Sequence, residues 1–263
     1  MRGTAIVLSQ EEYRTVWHFL GLGTRHWNMD LPGVAQLTED ERRVRLASAL
    51  EGLQARGLAD RQGPTPEVQH ALRLLANPVR EINGSVHVGA DQVRLLAGSR
   101  GDQAVLAMLD SHHLLARTYP GGELCTAVAG QLPARPAGAG VSVSVPTQLL
   151  AQPAASGKLG LTGQQLESRL VRQGIKPADA RSFARMIRGA KTSGGKFGAA
   201  RRDRNGGRHS AGLTLVYFAT DSGGYTLQQL RGADGTGWTT LAPATATQLA
   251  ERLEELLDGI RTS

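Results

Sequence analysis

The spacing of apolar residues along this chain switches from about 3.6 to 2, and it does so twice in the same order. Ser9 with Glu12 and Thr38 with Glu41 are capping boxes, in which hydroxyl and carboxylate satisfy the orphan amides at a helix start. They predict a helix over 11–20 that turns Val16, Phe19 and Leu20 inward and stops at Gly21 and Gly23. A second helix places Leu46, Leu50 and Leu53 on one stripe and ends at Gly57. Thr65-Pro66 opens a third, which buries Val68, Leu72 and Leu75 and halts before Pro78. The period then falls to 2. Residues 82–88, 92–97, 104–109 and 114–119 read as short strands between Gly, Asp and Ser turns, and 124–132 as a short helix. Residues 3–8 form an edge strand before the first helix. Val141, Val143 and Val145 alternate with Ser in another strand, which follows a Pro/Gly/Ala linker and closes at Pro146.

The plan then recurs. Thr162 with Gln165 caps a helix carrying Leu166, Leu170 and Val171, and the next helix carries Phe183, Met186 and Ile187. Strands follow at 196–203, 211–219, 224–230 and 237–241, with Gly223-Gly224 as a hairpin turn. After Pro243 a closing helix buries Leu249, Leu253, Leu256, Leu257 and Ile260. Strands that come in runs joined by short turns predict an α+β protein with a mostly antiparallel central sheet. We read one domain over 1–263, with pseudo-twofold halves of about 1–140 and 141–263.

Composition narrows the function. With 40% hydrophobic and 20% charged residues the chain is globular, and no apolar run reaches the length of a membrane span. The N-terminus lacks a long apolar stretch before Glu11 and Glu12, so a cytoplasmic protein is expected. The single Cys125 excludes an internal disulfide and reads as a small buried residue. The seven His show no ligand-pair spacing, and His112-His113 reads as a polar turn, so neither metal nor cofactor is expected. Ala190-Lys191-Thr192-Ser193-Gly194-Gly195-Lys196-Phe197 approaches a phosphate-binding loop. It has Ala190 where the first Gly belongs and Phe197 where magnesium needs a hydroxyl. Ser193-x-x-Lys196 matches a serine–lysine pair, but its two glycines oppose the helix that chemistry requires. No catalytic residue emerges, and an enzyme is not expected.

Lys plus Arg outnumber Asp plus Glu by 30 to 23. The densest run, Arg188 to Arg208, holds seven cations against Asp203 and reads as a solvated hairpin between strands. Its charge permits weak, salt-sensitive nucleic-acid binding, but no base-reading helix follows it. A basic nucleic-acid-binding or transcription-associated protein is therefore the alternative reading.

Three stretches together resemble the EspG family, the secretion-associated chaperones of type VII (ESX) systems. The first is Leu8-Ser9-x-x-Glu12-x-x-x-x-Trp17-x-x-Leu20-Gly21-Leu22-Gly23. The second includes Ala71-Leu72-Arg73-Leu74-Leu75-Ala76-Asn77-Pro78-x-Arg80-Glu81-Ile82 and Val93-Arg94-Leu95-Leu96-Ala97. The third is Asp221-x-Gly223-Gly224-Tyr225, then Asp234-Gly235-x-Gly237-Trp238-x-x-Leu241-Ala242-Pro243-Ala244, then the Leu-rich closing helix. Two stretches depart from the family pattern: Arg25-His26-Trp27-Asn28-Met29, and the strongly basic Arg188–Arg208.

The resemblance implies a central antiparallel sheet between two helical bundles. It also implies a cytosolic, non-enzymatic chaperone that binds the apolar tip of the PPE protein in a helical PE–PPE dimer. Such a chaperone keeps the dimer soluble and directs it to its secretion machine. Alone, the chain is expected to be a monomer or weak dimer. For the contact surface, Leu213, Leu215, Tyr217 and Phe218 form an apolar stretch, with Arg204 and Arg208 nearby as polar contacts. Tyr217 and Phe218 are adjacent on a strand and point to opposite faces, so one is expected to face the core and the other the partner.

Overall fold

The structure is a computed structural model that describes residues 5–31, 38–150, 163–231 and 235–261. The first half of the chain runs β1 (Ile6–Ser9), α1 (Gln10–Phe19), α2 (Glu39–Gln54), β2 (Ala59–Asp60), β3 (Gly63–Pro64) and α3 (Pro66–Ala76). It continues through β4 (Arg80–Val88), β5 (Asp91–Arg100), β6 (Gln103–Leu109), β7 (His113–Pro120) and α4 (Leu124–Ala129). The second half runs β8 (Val143–Pro146), α5 (Gly163–Arg172), α6 (Pro177–Ile187), β9 (Ser193–Arg202), β10 (Arg208–Ser210) and β11 (Leu215–Thr220). It ends with β12 (Gly223–Arg231), β13 (Gly237–Pro243) and α7 (Ala246–Asp258).

The local signals act as physical chemistry requires. Ser9 and Glu12 close the first capping box, and Thr38 and Glu41 the second. Trp17 Nε1 donates to the Gly23 carbonyl at 2.8 Å, which ties the Gly-rich exit of α1 back onto the helix. Thr162, read as a cap for α5, lies outside the described residues. Two readings of the second half need correction. The strand expected over 211–219 begins only at Leu215, because Gly212 takes a left-handed φ of 63° and breaks the chain between β10 and β11. The hairpin turn between β11 and β12 falls at Asp221 and Ser222. Gly223 and Gly224 already pair with Thr220 and Ala219 in the ladder.

Among the described residues eleven strands form one antiparallel sheet in the order β1-β7-β6-β5-β4-β9-β11-β12-β13-β8, with β10 also paired to β9. Reading outward from the β4–β9 pair, both sides follow the same course and end on a strand that precedes the helices. At the seam the two backbones approach so closely that a Cβ on Gly84 would lie 2.0 Å from the Lys196 carbonyl oxygen.

One face of the sheet is covered by α4 and α7. Ile82, Leu95, Leu106, Phe197, Leu215 and Tyr217 pack there against Val128, Leu249, Leu253 and Leu257. The other face carries two separate cores. Helices α1–α3 cover Leu8, Leu96, Val105, Leu109 and Leu114. Helices α5 and α6 cover Val143, Val145, Phe218, Tyr225 and Leu241. The α+β class, with a central antiparallel sheet flanked by helical bundles, is thus in place.

Candidate functional site: an open trough at the centre of the sheet

The apolar strand singled out in the sequence is covered on both sides. Leu215 and Tyr217 belong to the α4–α7 core, and Tyr217 is 1% exposed. Phe218 turns the other way but is only 3% exposed, stacked on Tyr225 at 5.5 Å beneath α5 and α6. The expectation that one of the pair faces outward is therefore corrected. The strand is apolar on both faces because helices cover both faces. Leu213 sits in the connection before it, half-buried against the α4–α7 core. The Tyr217 hydroxyl has no hydrogen-bond partner, and burial pushes its pKa up.

The basic segment also differs from its reading. Its middle ten residues are β9, a central strand, flanked by connections at 188–192 and 203–207. The second connection is ordered by Asp203, whose Oδ1 accepts from the amides of Asn205 and Gly207, each at 2.8 Å. Its Oδ2 lies 2.7 Å from His209 Nε2, and the hydrogen bonds from His209 and these amides hold the carboxyl below its ordinary range. Arg202 donates to the Gly206 carbonyl at 3.1 Å, and Arg201 lies 3.9 Å from Asp258. Arg204 is exposed in the turn. Ser193 and Lys196 sit on a strand, where a spacing of three sends them to opposite faces. Elsewhere, His112 and His113 both donate their amides to Asp110, as a polar turn should. Cys125 is buried, and burial with the neighbouring Glu254 pushes its thiol up.

Arg208 leads to the site that the sequence did not disclose. It donates through Nη2 to Glu81 Oε1 at 2.6 Å, and Glu81 is 4% exposed on the floor of the sheet. Asn83 donates to the same carboxylate at 2.9 Å, and His26 Nε2 lies 3.1 Å from it. Nδ1 of His26 accepts from the Asn28 amide, which leaves the ring proton on Nε2, towards the carboxylate. Burial alone would raise the Glu81 pKa, but the close approach of His26 and the hydrogen bonds from Arg208 outweigh it and hold the group at about 2. Asn28 anchors the same loop by donating to the carbonyls of Gly84 and Leu95, both at 2.7 Å. The 25–29 stretch and the basic 188–208 segment therefore meet on one buried carboxylate.

Glu81 marks one end of an opening. On this face α3 packs on β5, β6 and β7, while α6 packs on β8 and β13; the helix against β4 and β9 is α7, on the opposite face. Ser85, His87 and Gly198 are half-buried, and Lys196 is exposed although β9 is a central strand of an eleven-stranded sheet. Among the described residues the result is a trough along the β4–β9 seam, walled by the two bundles. Trp27, 68% exposed with its ring tilted against that of His26 at 5.3 Å, stands on one wall. A continuous apolar run was legible in the sequence, whereas this gap was not. Its only signal was the Gly-rich, Lys-bearing pattern of β9, read as a strand from 196 within a basic segment taken for a solvated hairpin.

A sheet-floored trough between helical walls, with mixed polar and apolar lining, defines a binding scaffold of the α+β class. The fold is similar to that of the Mycobacterium tuberculosis type VII secretion system chaperone EspG5, solved in complex with the PE25-PPE41 dimer. The TM-score is 0.71 at 16% identity, covering 99% of this chain and 98% of that one. The model of the EspG family matches residues 9–255, and the chain belongs to the EspG family. No curated protein sequence matches it. Among the described residues no helix is long and apolar enough to cross a membrane.

Proposed function

We propose that this chain is a cytosolic, non-enzymatic chaperone of type VII secretion. It covers the apolar tip of a PE–PPE-type helical dimer, keeps the dimer soluble and hands it to its secretion machine. Family membership supports the class. The observation that carries the reading is the opening over β4 and β9, a preformed concave surface at the centre of a rigid sheet. An apolar helical tip aggregates unless it is covered, and a trough with a polar rim covers it reversibly. Leu215, Tyr217 and Phe218 act in this reading as the packed support of the neighbouring strand. Arg204 and Arg208 are the members of the sequence-predicted set that remain exposed for rim contact, Arg208 with its guanidinium held by Glu81.

Three observations weigh against the nucleic-acid alternative. Arg208 is engaged by Glu81, Arg201 lies beside Asp258, and β9 lies within the sheet. The test is co-expression with PE–PPE dimers, followed by size-exclusion chromatography with light scattering. The expected result is a 1:1:1 complex and recovery of the dimer from the insoluble fraction. Dimers that stay insoluble and never co-elute would overturn the proposal.

A further inference from the structure

The floor of the trough has a chemical direction. Strand register places Arg94 of β5, Ser85 of β4, Lys196 of β9, Val216 of β11 and Leu227 of β12 in one row across the sheet. Neighbouring strands lie about 4.8 Å apart, so the Arg94 and Lys196 backbones, two strands apart, are separated by roughly 10 Å. Lys196 makes no side-chain hydrogen bond or ion pair among the described residues. Among the described residues Arg94 donates to the Asp30 carbonyl, at 2.7 Å. Lys191 stands 5.1 Å over the ring of Phe218, in the next row, which also contains His87 and Gly194. The nearby carboxylates are already engaged: Glu81 by Arg208, His26 and Asn83, and Asp30 by Arg25 at 3.2 Å. Past Lys196 the row turns apolar, with Val216 and Leu227 half-buried against the α5–α6 core.

We infer, resting on the chaperone reading, that the trough takes a helical partner tip carrying a carboxylate beside a large apolar side chain. The carboxylate lies over the Arg94–Lys196 pair, and the apolar group over Val216 and Leu227. Charge complementarity is the argument. An ammonium in the middle of a sheet is stripped of water when a partner covers it, and that is unfavourable unless an anion meets it. A wholly apolar tip would bury Lys196 unpaired and is rejected, so the lysine selects by exclusion as much as by attraction.

Two measurements test this separately from the chaperone reading. In the first, the full ¹⁵N-labelled chain is titrated with N-acetylphenylalaninate and with the neutral N-acetylphenylalaninamide. Shifts should centre on Ser85, Lys196 and Val216, with the acid binding several-fold tighter than the amide. Lys196→Gln should erase that difference while leaving the thermal melt unchanged. Equal binding of acid and amide, or shifts elsewhere, overturns the inference. In the second, a PE–PPE dimer that co-purifies with the wild type is offered to Lys196→Glu and Lys196→Arg. Lys196→Glu should weaken the complex by at least about tenfold, and Lys196→Arg should retain it. Unchanged binding to Lys196→Glu overturns the inference and leaves the chaperone reading intact. Acid-selective binding of the small probe by a protein that retains no dimer supports the charged floor and overturns the chaperone reading.

Discussion

Strands β11 and β9 are hydrogen-bonded neighbours at the centre of one sheet, yet their sequences follow opposite rules. β11 reads Leu-Val-Tyr-Phe-Ala-Thr and is covered on both faces apart from half-buried Val216; β9 reads Ser-Gly-Gly-Lys-Phe-Gly-Ala-Ala-Arg-Arg and is covered on one face, with the other open around Lys196 and Gly198. On β9, Phe197 and Ala199 face the α4–α7 core, while Lys196 and Gly198 alternate with them towards the trough. Apolar density along a strand therefore reports how many of its faces are covered. It does not report contact with a partner. The strand that stands out as sticky is the one already satisfied, and the weakly patterned one has a face to spare.

Substitutions can break this comparison, and the strongest act on the covered strand. Tyr217→Glu and Phe218→Glu both place a carboxylate in a dry core, so both should abolish the cooperative thermal transition. A folded, partner-deficient Phe218→Glu would show that the face beneath α5 and α6 opens in solution. Next in size is Glu81→Gln, which leaves Arg208 and His26 without their anion and should lower stability by about 3 kcal/mol at neutral pH. The Glu81 pKa is depressed in the folded state, so its contribution is present above the unfolded value of 4.5 and is lost as pH falls towards 2. Urea titrations of wild type and variant should therefore converge over that window. A constant gap would remove Glu81 as its source.

Smaller effects sharpen the contrast. Tyr217→Phe deletes a buried hydroxyl that has no partner, and should leave stability unchanged or raise it by up to about 1 kcal/mol. A loss of more than that in calorimetry would mean the hydroxyl finds a partner in solution. Lys196→Ala, on the open face, should move the melt by less than about 0.5 kcal/mol. A larger loss would mean the lysine packs on the floor and the trough is closed.

The elements with local signals were legible. Ser9–Glu12 and Thr38–Glu41 cap their helices, Pro66 and Pro78 bound α3, and the apolar faces of α3 and α7 are buried. Gly212 marked a break within an apolar stretch that period alone carried through as one strand. The site was not legible, because it is made of what does not touch. The separation of two helical bundles and the meeting of His26, Glu81 and Arg208 both depend on pairings between residues far apart in the chain. Arg188–Arg208 looked like a solvated loop because glycine and charge dominate it. Those same residues suit a central strand that presents one bare face.

The seam between the halves also governs how the molecule is made. β4 has β5 on one side and β9 on the other, and β9 leaves the ribosome on the order of ten seconds after β4. Until then the nascent first half carries a nine-residue strand edge with every outward amide and carbonyl unpaired. The trough-facing residues of that strand, Glu81, Asn83, Ser85 and His87, are polar, which disfavours pairing with a strand from another chain. The halves are thus joined in time as well as in space: a chain released before Ser193 presents an open β4 edge, and only synthesis through β9 closes it.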